Sequence, residues 1–401
     1  MTGRLPYHLA ATRCNLIPSS IPEGTDLGYT MLPKLLATRG YVSHHVGKWH
    51  QGFHTPDYTP VARGFNTSYG FLQGGEDHWT HWCGASATVC DIPGADGGWT
   101  KNGAWDLWSQ SNADFPGHPE IGMNGTLGDE ATYSGFIFTR RVVELVQAHA
   151  STDPMFVYWV RLCPLVPASR LCGGRKGLTG SCLQALHNTH APIEAPPRFI
   201  AQYSHFADLK KETFSAMVSV VDESVRNVTE ALKAASMWDD TLFVWTTDNG
   251  SPVQVGGSNH PLRGGKGHNW EGGIRTPTFV CGGAVGPANR GKQLDGLMHI
   301  TDWYTTFSTL AGVTSDLADA TAVSLGLPEV ESMDVSGYIQ GTRQTSPRTE
   351  IVHDHHMFTQ ASAVNGTCGG QDPFEIPGLP ALGALRQGCA SSHRLAVLVP
   401  R

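Results

Sequence analysis

Thr241–Thr276, TLFVWTTDNGSPVQVGGSNHPLRGGKGHNWEGGIRT, decides how the rest of the chain is read. Leu242 to Thr247 form a short apolar, β-branched and aromatic run, the pattern of a buried strand. The run stops at Asp248-Asn249-Gly250, an acid and an amide followed by a glycine-rich loop. Open α/β sheets place their ligands at such strand ends. The loop then supplies Arg263, Lys266 and His268, followed by Trp270-Glu271-Gly272-Gly273. Hard oxygen donors beside mobile cations point to a divalent metal next to an anionic substrate group. A strand end with a solvated turn would account for Asp-Asn-Gly alone, but not for the loop attached to it.

A second polar cluster lies upstream. Tyr41 to His50, YVSHHVGKWH, reads as a strand. Lys48 and His50 stand two apart, so on a strand they share one face while Trp49 takes the other. A lysine and a histidine on one face make an oxyanion-binding pair, although an edge strand with solvated polar residues carries the same spacing. Before it, Leu27, Met31, Leu32, Leu35 and Leu36 recur with a helical period over Leu27 to Thr38. Pro33 counts against an unbroken helix there, and Gly40 is placed as its C′ residue.

The remaining pattern is that of an α/β protein. Thr132 to His149 is amphipathic, Asp153-Pro154 breaks it, and Met155 to Val160 follows as an apolar strand. Helix then strand implies a parallel sheet. Phe214 to Leu232 predicts a long amphipathic helix, and Thr276 to Cys281 another strand. A helix begins at Met298-His299-Ile300-Thr301-Asp302-Trp303, with Thr301 or Asp302 as N-cap. Trp79 to Gly117 shows no clear period and reads as a long surface excursion of the kind that faces substrates.

Composition excludes several classes. The 401 residues, 40% hydrophobic and 16% charged, describe a globular chain. The net charge of −7 and the lack of a basic stripe argue against nucleic acid. No apolar run approaches the roughly 18–20 residues of a membrane span. Nine cysteines form no C-x-x-C pattern, which argues against zinc. Cys83 and Cys90 could close a small disulfide loop. N-x-S/T sequons at Asn66, Asn124, Asn227, Asn249 and Asn365 hint at secretion, yet no signal peptide begins at Met1.

Taken in order, GKWH, RGFNTSYGFLQGGEDHWTH, HAPIEAP, DNG, GSNHPLRGGK, WEGG and HITDW resemble the type I sulfatases, arylsulfatase B-like members especially. The resemblance implies an alkaline-phosphatase-like α/β fold with a mixed, mostly parallel central sheet flanked by helices. It implies calcium held by Asp248 and Asn249, and sulfate bound by Lys48. It assigns His50 as a base, and His190 and Lys266 as contacts to sulfate and the leaving-group oxygen. The nucleophile of this family is formylglycine, made from the cysteine of C-x-P-S-R. Met1-Thr2-Gly3-Arg4 resembles the segment following that motif, which places the nucleophile and a metal-binding Asp pair before Met1. The expected organisation is a catalytic domain at 1–325 lacking its first strand and nucleophile, then a partial C-terminal region at 326–401.

Arg161–Gln184 departs from the family pattern. It holds four basic residues, no acidic ones and three of the nine cysteines, and its removal joins MFVYWV to ALHNTHAPIEAP. It is read as a gene-model insertion, with a real surface loop as the alternative. The resemblance implies a sulfated small molecule or sulfated glycan as partner and a secreted or lysosome-like location. It also implies that the chain as written binds calcium poorly, does not turn over and folds poorly in isolation. A related metal-dependent phosphohydrolase and a non-catalytic secreted glycan-binding homologue are the competing functions.

Overall fold

The structure, a computed structural model, describes residues 1–9, 22–83, 92–93, 99–100, 104–120, 125–126, 128–160, 189–190, 192–266, 269–353, 385–387 and 395–397. The segment 161–184 and the Cys83–Cys90 pairing lie outside what is described. The elements that matter here are α1 (Leu32–Ala37), β1 (Val42–Lys48), β2 (Thr67–Phe71), β3 (Trp108–Ser111), β4 (Asp114–Pro119), α2 (Ser134–Ala148), β5 (Met155–Val160), α3 (Leu209–Ala234), β6 (Phe243–Thr246), β7 (Thr278–Cys281), β8 (Gln293–Leu294), α4 (Asp302–Leu310) and β9 (Leu395–Val397).

The strands form a mixed α/β architecture, hydrogen-bonded among the described residues as two main sheets. The first runs β4-β3-β2-β1-β5, and the second runs β6-β7-β9-β8. In the first, β1 is parallel to both β2 and β5, so it is covered on both edges. Its five central residues are all buried, as expected of a parallel strand covered on both faces. Register assigns the faces: Tyr69 pairs with Val46 and Phe156 with Ser43, so Tyr69 and Phe156 point to opposite sides. Phe138 of α2 packs against Tyr69 and Phe71 on one face. Phe307 of α4 packs edge-on against Phe156 on the other. Helices thus cover both faces of the sheet.

The excursion read as irregular contains the β3–β4 hairpin, which extends the first sheet antiparallel beyond β2. Its two-residue loop, Asn112-Ala113, lacks the Asn-Gly or Asp-Gly signal that announces such turns. The first helix is shorter than its periodicity suggested. Pro33 lies in the first turn of α1, where a missing N–H does no harm, instead of interrupting a longer helix. Gly40 ends it in a Schellman arrangement, with Tyr41 N bonded to Leu36 O and Gly40 N to Ala37 O.

Two buried ion pairs tie distant segments to this core. Arg4 meets Asp319 at 2.8 Å with both side chains fully buried, and its guanidinium lies over the Tyr29 ring. Arg348 grips Asp302 at the start of α4 through both carboxylate oxygens, at 2.7 and 2.6 Å. Val335, Tyr338 and Ile339 belong to the same hydrophobic cluster as Trp303 and Phe307. Among the described residues no helix is long and apolar enough to cross a membrane.

Candidate active site

Lys48 stands where β1 loses its regularity. Gly47 has φ +101°, and a Cβ there would lie 2.9 Å from Val160 O; one on Gly70 would lie 2.0 Å from Gly47 O. Only glycine permits the three backbones to approach this closely. Beyond Lys48 the bonding along β2 continues through Trp49 N to Phe71 O and His50 N to Leu72 O. His50 itself adopts φ +52°, a left-handed conformation uncommon for a residue with a side chain. The strand ends at Lys48, so the two-residue alternation that put Lys48 and His50 on one face does not extend to His50. Trp49 is buried and donates its ring N–H toward both Gly52 O and Tyr58 O, pinning the following loop.

Asp248 and Asn249 follow β6 directly, and the loop after them is knotted through its glycines. Gly250 N donates to Gly273 O at 2.8 Å, and Gly272 N to Arg263 O at 2.7 Å. A Cβ on Gly250 would sit 1.6 Å from Gly272 O, and one on Gly272 would sit 2.3 Å from Gly264 O. Asn259 staples the loop's two arms. Its Oδ1 accepts from Ser251 N, and its Nδ2 donates to Ser251 O and Gly264 O. The -GG-K- and -EGG- spacings are therefore demands of close backbone packing. Arg263 stacks over the exposed Trp270 ring at 4.0 Å, away from a role as a free cation. His268 lies outside the described residues.

The two halves meet electrostatically. Burial pushes the half-buried Lys48 ammonium down to about 8; Asp248 opposes that shift and Lys266 adds to it. Burial also raises the Tyr158 hydroxyl on β5, and Asp248 raises it further. Lys48 at the end of β1, Tyr158 on β5, Asp248 just past β6 and Lys266 in the following loop are thus coupled electrostatically. Asn249 Nδ2 donates to Asp248 Oδ1, holding an amide and a carboxylate side by side. Both offer the hard oxygen chemistry that suits calcium, and two donors are a fraction of the six to eight it takes. Among the described residues no group of three or more His, Cys, Asp or Glu side chains is placed to hold a metal.

His190 is positioned by a separate set of contacts. His78 Nε2 donates to the His190 carbonyl at 3.3 Å, while its Nδ1 meets Ser134 Oγ at the start of α2. Tyr133 donates its hydroxyl to Glu194 O, fixing the far end of the same segment. Burial pushes the Glu194 carboxyl up to about 7, with Asp77 adding to the rise and the His78 backbone N–H opposing it.

Several motif residues prove to be supports. Arg63 is buried and bonded to the carbonyls of Asp26 and Tyr29. Asn66, counted above as a glycosylation sequon, accepts the Ser43 amide through its side chain and so braces the sheet. Sequence reasoning missed Asp106, whose buried carboxylate accepts the N–H groups of Leu72 and Gln73 just past β2. It also missed Asn259 and the buried His45, because each acts on backbone that no side-chain pattern reveals.

Comparison with known proteins bears on family and fold. The family model described as Sulfatase matches residues 1–160 and 183–313. Arylsulfatase J of Mus musculus is 31% identical over 368 residues, covering 90% of this chain and 50% of that protein. N-acetylgalactosamine-6-sulfatase of Homo sapiens is 27% identical over 330 residues, covering 78% and 52% respectively. The chain therefore spans about half the length of the curated relatives it matches. Among solved structures, Ps i-CgsB in complex with k-i-k-neocarrahexaose superposes with a TM-score of 0.62 at 22% identity, over 88% of this chain and 67% of that one. The PsFucS1 sulfatase from Pseudoalteromonas sp. gives 0.61 at 20% identity, over 88% and 62%. These two likenesses concern the fold.

Proposed function

The chain belongs to the sulfatase family, and from that premise we propose that it carries one wall of a site hydrolysing sulfate esters. The observation that supports this reading is the electrostatic coupling of Lys48, at the end of β1, to Asp248 just past β6 and to Lys266 in the loop that follows. Two ammonium groups and a carboxylate coupled to one another suit a site that takes a sulfate dianion and a divalent cation together. In this reading Lys48 and Lys266 bind the sulfate oxygens and offset the charge that builds on them as the S–O bond breaks. His190 faces the leaving-group oxygen and assists its departure. His50 holds and moves the proton needed to release sulfate. Asp248 and Asn249 would hold Ca²⁺ as two of its oxygen ligands. Bound calcium and the family's formylglycine would supply Lewis acidity and the attacking oxygen.

The organisation proposed with it is a catalytic region over 1–325, with 161–184 as an insertion, followed by a C-terminal region over 326–401. The interruption of the family match between residues 160 and 183 supports reading 161–184 as an insertion. The proposed substrate is a sulfated small molecule or a sulfated glycan, in a secreted or lysosome-like setting; the N-acetylgalactosamine-6-sulfatase relatives favour a sulfated sugar. Isothermal titration of inorganic sulfate into the 401-residue chain, with calcium present, tests the reading. Wild type is expected to bind, and Lys48→Met and Lys266→Met each to weaken binding at least about tenfold, as loss of a charge-assisted hydrogen bond implies. Equal affinity in all three would refute it.

A further inference from the structure

Among the buried titratable groups, His45 stands nearest in chain to Lys48, and no role above uses it. Its side chain lies on β1 and is fully buried. Nε2 lies 3.1 Å from the Lys48 carbonyl oxygen, and Nδ1 lies 2.8 Å from Ser68 Oγ on β2. A carbonyl can only accept, so Nε2 carries the hydrogen. In the neutral ring Nδ1 is then an acceptor, and the Ser68 hydroxyl donates to it. Trp49 and Phe65 meet the ring edge-on at 5.4 and 5.7 Å, and Tyr158 lies at 6.0 Å, so the imidazole has little room to turn. Burial pushes its pKa down to about 4, partly offset by the bond to Lys48, which keeps it neutral near pH 7.

On a regular strand, residue 45 would have no access to the carbonyl of residue 48. Gly47, with φ +101°, breaks that regularity between the two residues. We propose that His45 is a positioning residue: its imidazole, anchored by Ser68, holds the Lys48 carbonyl and so fixes the turn that delivers the Lys48 ammonium to Asp248 and Lys266. The inference rests on the reading of Lys48 as a sulfate-binding group, and it concerns which atoms hold that group in place.

The full 401-residue chain is compared as wild type, His45→Phe, His45→Gln and Ser68→Ala, with Lys48→Met as reference. Phenylalanine fills the aromatic cage without a donor, whereas glutamine keeps one donor and one acceptor. Hydrogen exchange read by mass spectrometry is expected to speed up by about tenfold at the Trp49 and His50 amides in His45→Phe, with the amides of residues 43–46 unchanged. Sulfate affinity measured by calorimetry is expected to fall by about tenfold at an unchanged thermal midpoint, and His45→Gln to restore most of it. Ser68→Ala is expected to show the same pattern to a smaller extent, and it decides the matter if His45→Phe does not fold. Wild-type exchange and wild-type affinity in His45→Phe, or in Ser68→Ala where that stands in for it, overturn the proposal. Should Lys48→Met bind sulfate as tightly as wild type, the role of Lys48 falls instead, and the exchange comparison still decides whether His45 holds the turn.

Discussion

Gly250→Ala is the sharpest test of the knotted loop. The added Cβ would lie 1.6 Å from Gly272 O and 3.1 Å from Gly273 Cα. Non-bonded heavy atoms settle near 3.5 Å, so the two strands of the loop must part by roughly 1.5–2 Å. That displacement removes the 2.8 Å bond from Gly250 N to Gly273 O, worth about 0.5–1.5 kcal/mol net. Overpacking adds about 1–3 kcal/mol. The expected loss is about 2–4 kcal/mol, with Asp248 shifted and sulfate binding weakened in step. Urea denaturation measures the first and calorimetry the second. Gly291→Ala is the control, since Gly291 has φ +70° with open space around it. It should cost only the left-handed penalty of about 1–2 kcal/mol and leave sulfate binding intact. A Gly250→Ala midpoint at or above that of Gly291→Ala, with wild-type sulfate affinity, would refute the close-packing argument.

Three further outcomes follow from buried charge. Burial pushes Asp106 up to about 8 against the pull of the Leu72 and Gln73 amides, with Glu76 adding to the rise. Its folded pKa exceeds the unfolded value near 4, so the folded state retains a proton that the unfolded chain releases. Stability relative to Asp106→Asn should therefore fall as pH rises from about 4 to 8, by up to about 1.4 kcal/mol per pH unit, read from urea midpoints. His299 runs the other way: burial, with Arg348 and His353 adding, lowers it to about 3. The unfolded chain binds the proton first, so stability relative to His299→Gln should fall as pH drops from about 6.5 toward 3, again by up to about 1.4 kcal/mol per unit. Arg348→Met strands the buried Asp302 carboxylate and should lower stability by about 3–5 kcal/mol; a loss below 1 kcal/mol in denaturation would show the pair to be dispensable.

The elements most legible in the sequence are those whose identity rests on apolar runs. Met155–Val160 was bounded to the residue because all six side chains are apolar or aromatic and five are buried. The apolar pattern bounds the long helix at Phe214 to Leu232, but it begins at Leu209: Leu209, Lys210 and Lys211 are exposed, and the start is set by Asp208 capping Lys210 N and Lys211 N. The β3–β4 hairpin stayed hidden because Asn-Ala is a weak turn signal. In the site, Lys48, Asp248 and Lys266 were legible as charged residues beside glycines in a recognisable order. His45, Asp106 and Asn259 were not, because each holds a backbone amide or carbonyl, a role that no side-chain pattern announces. The left-handed His50 was illegible as well: its backbone N–H bonds the Leu72 carbonyl, which no local spacing announces.

The charges of the proposed site imply that its two ligands bind cooperatively. Asp248 is the group that favours the Lys48 ammonium, while burial and Lys266 disfavour it. A cation on Asp248 and Asn249 would neutralise that carboxylate and leave the charges of Lys48 and Lys266 uncompensated. A sulfate dianion between the ammonium groups compensates them and also attracts the cation. Each ligand thus supplies the charge that the other makes necessary, and the coupling is reciprocal by linkage. Calcium should tighten sulfate binding by about 5–150-fold, the usual span of such couplings, and sulfate should tighten calcium binding by the same factor. Titration of each ligand in the presence and absence of the other measures both arms. In Asp248→Asn the carboxylate that links them is gone, so the coupling should collapse while some sulfate binding to the lysines persists. Sulfate affinity indifferent to calcium in the wild-type chain would mean that Asp248 serves Lys48 alone, and the metal would have to be sought elsewhere.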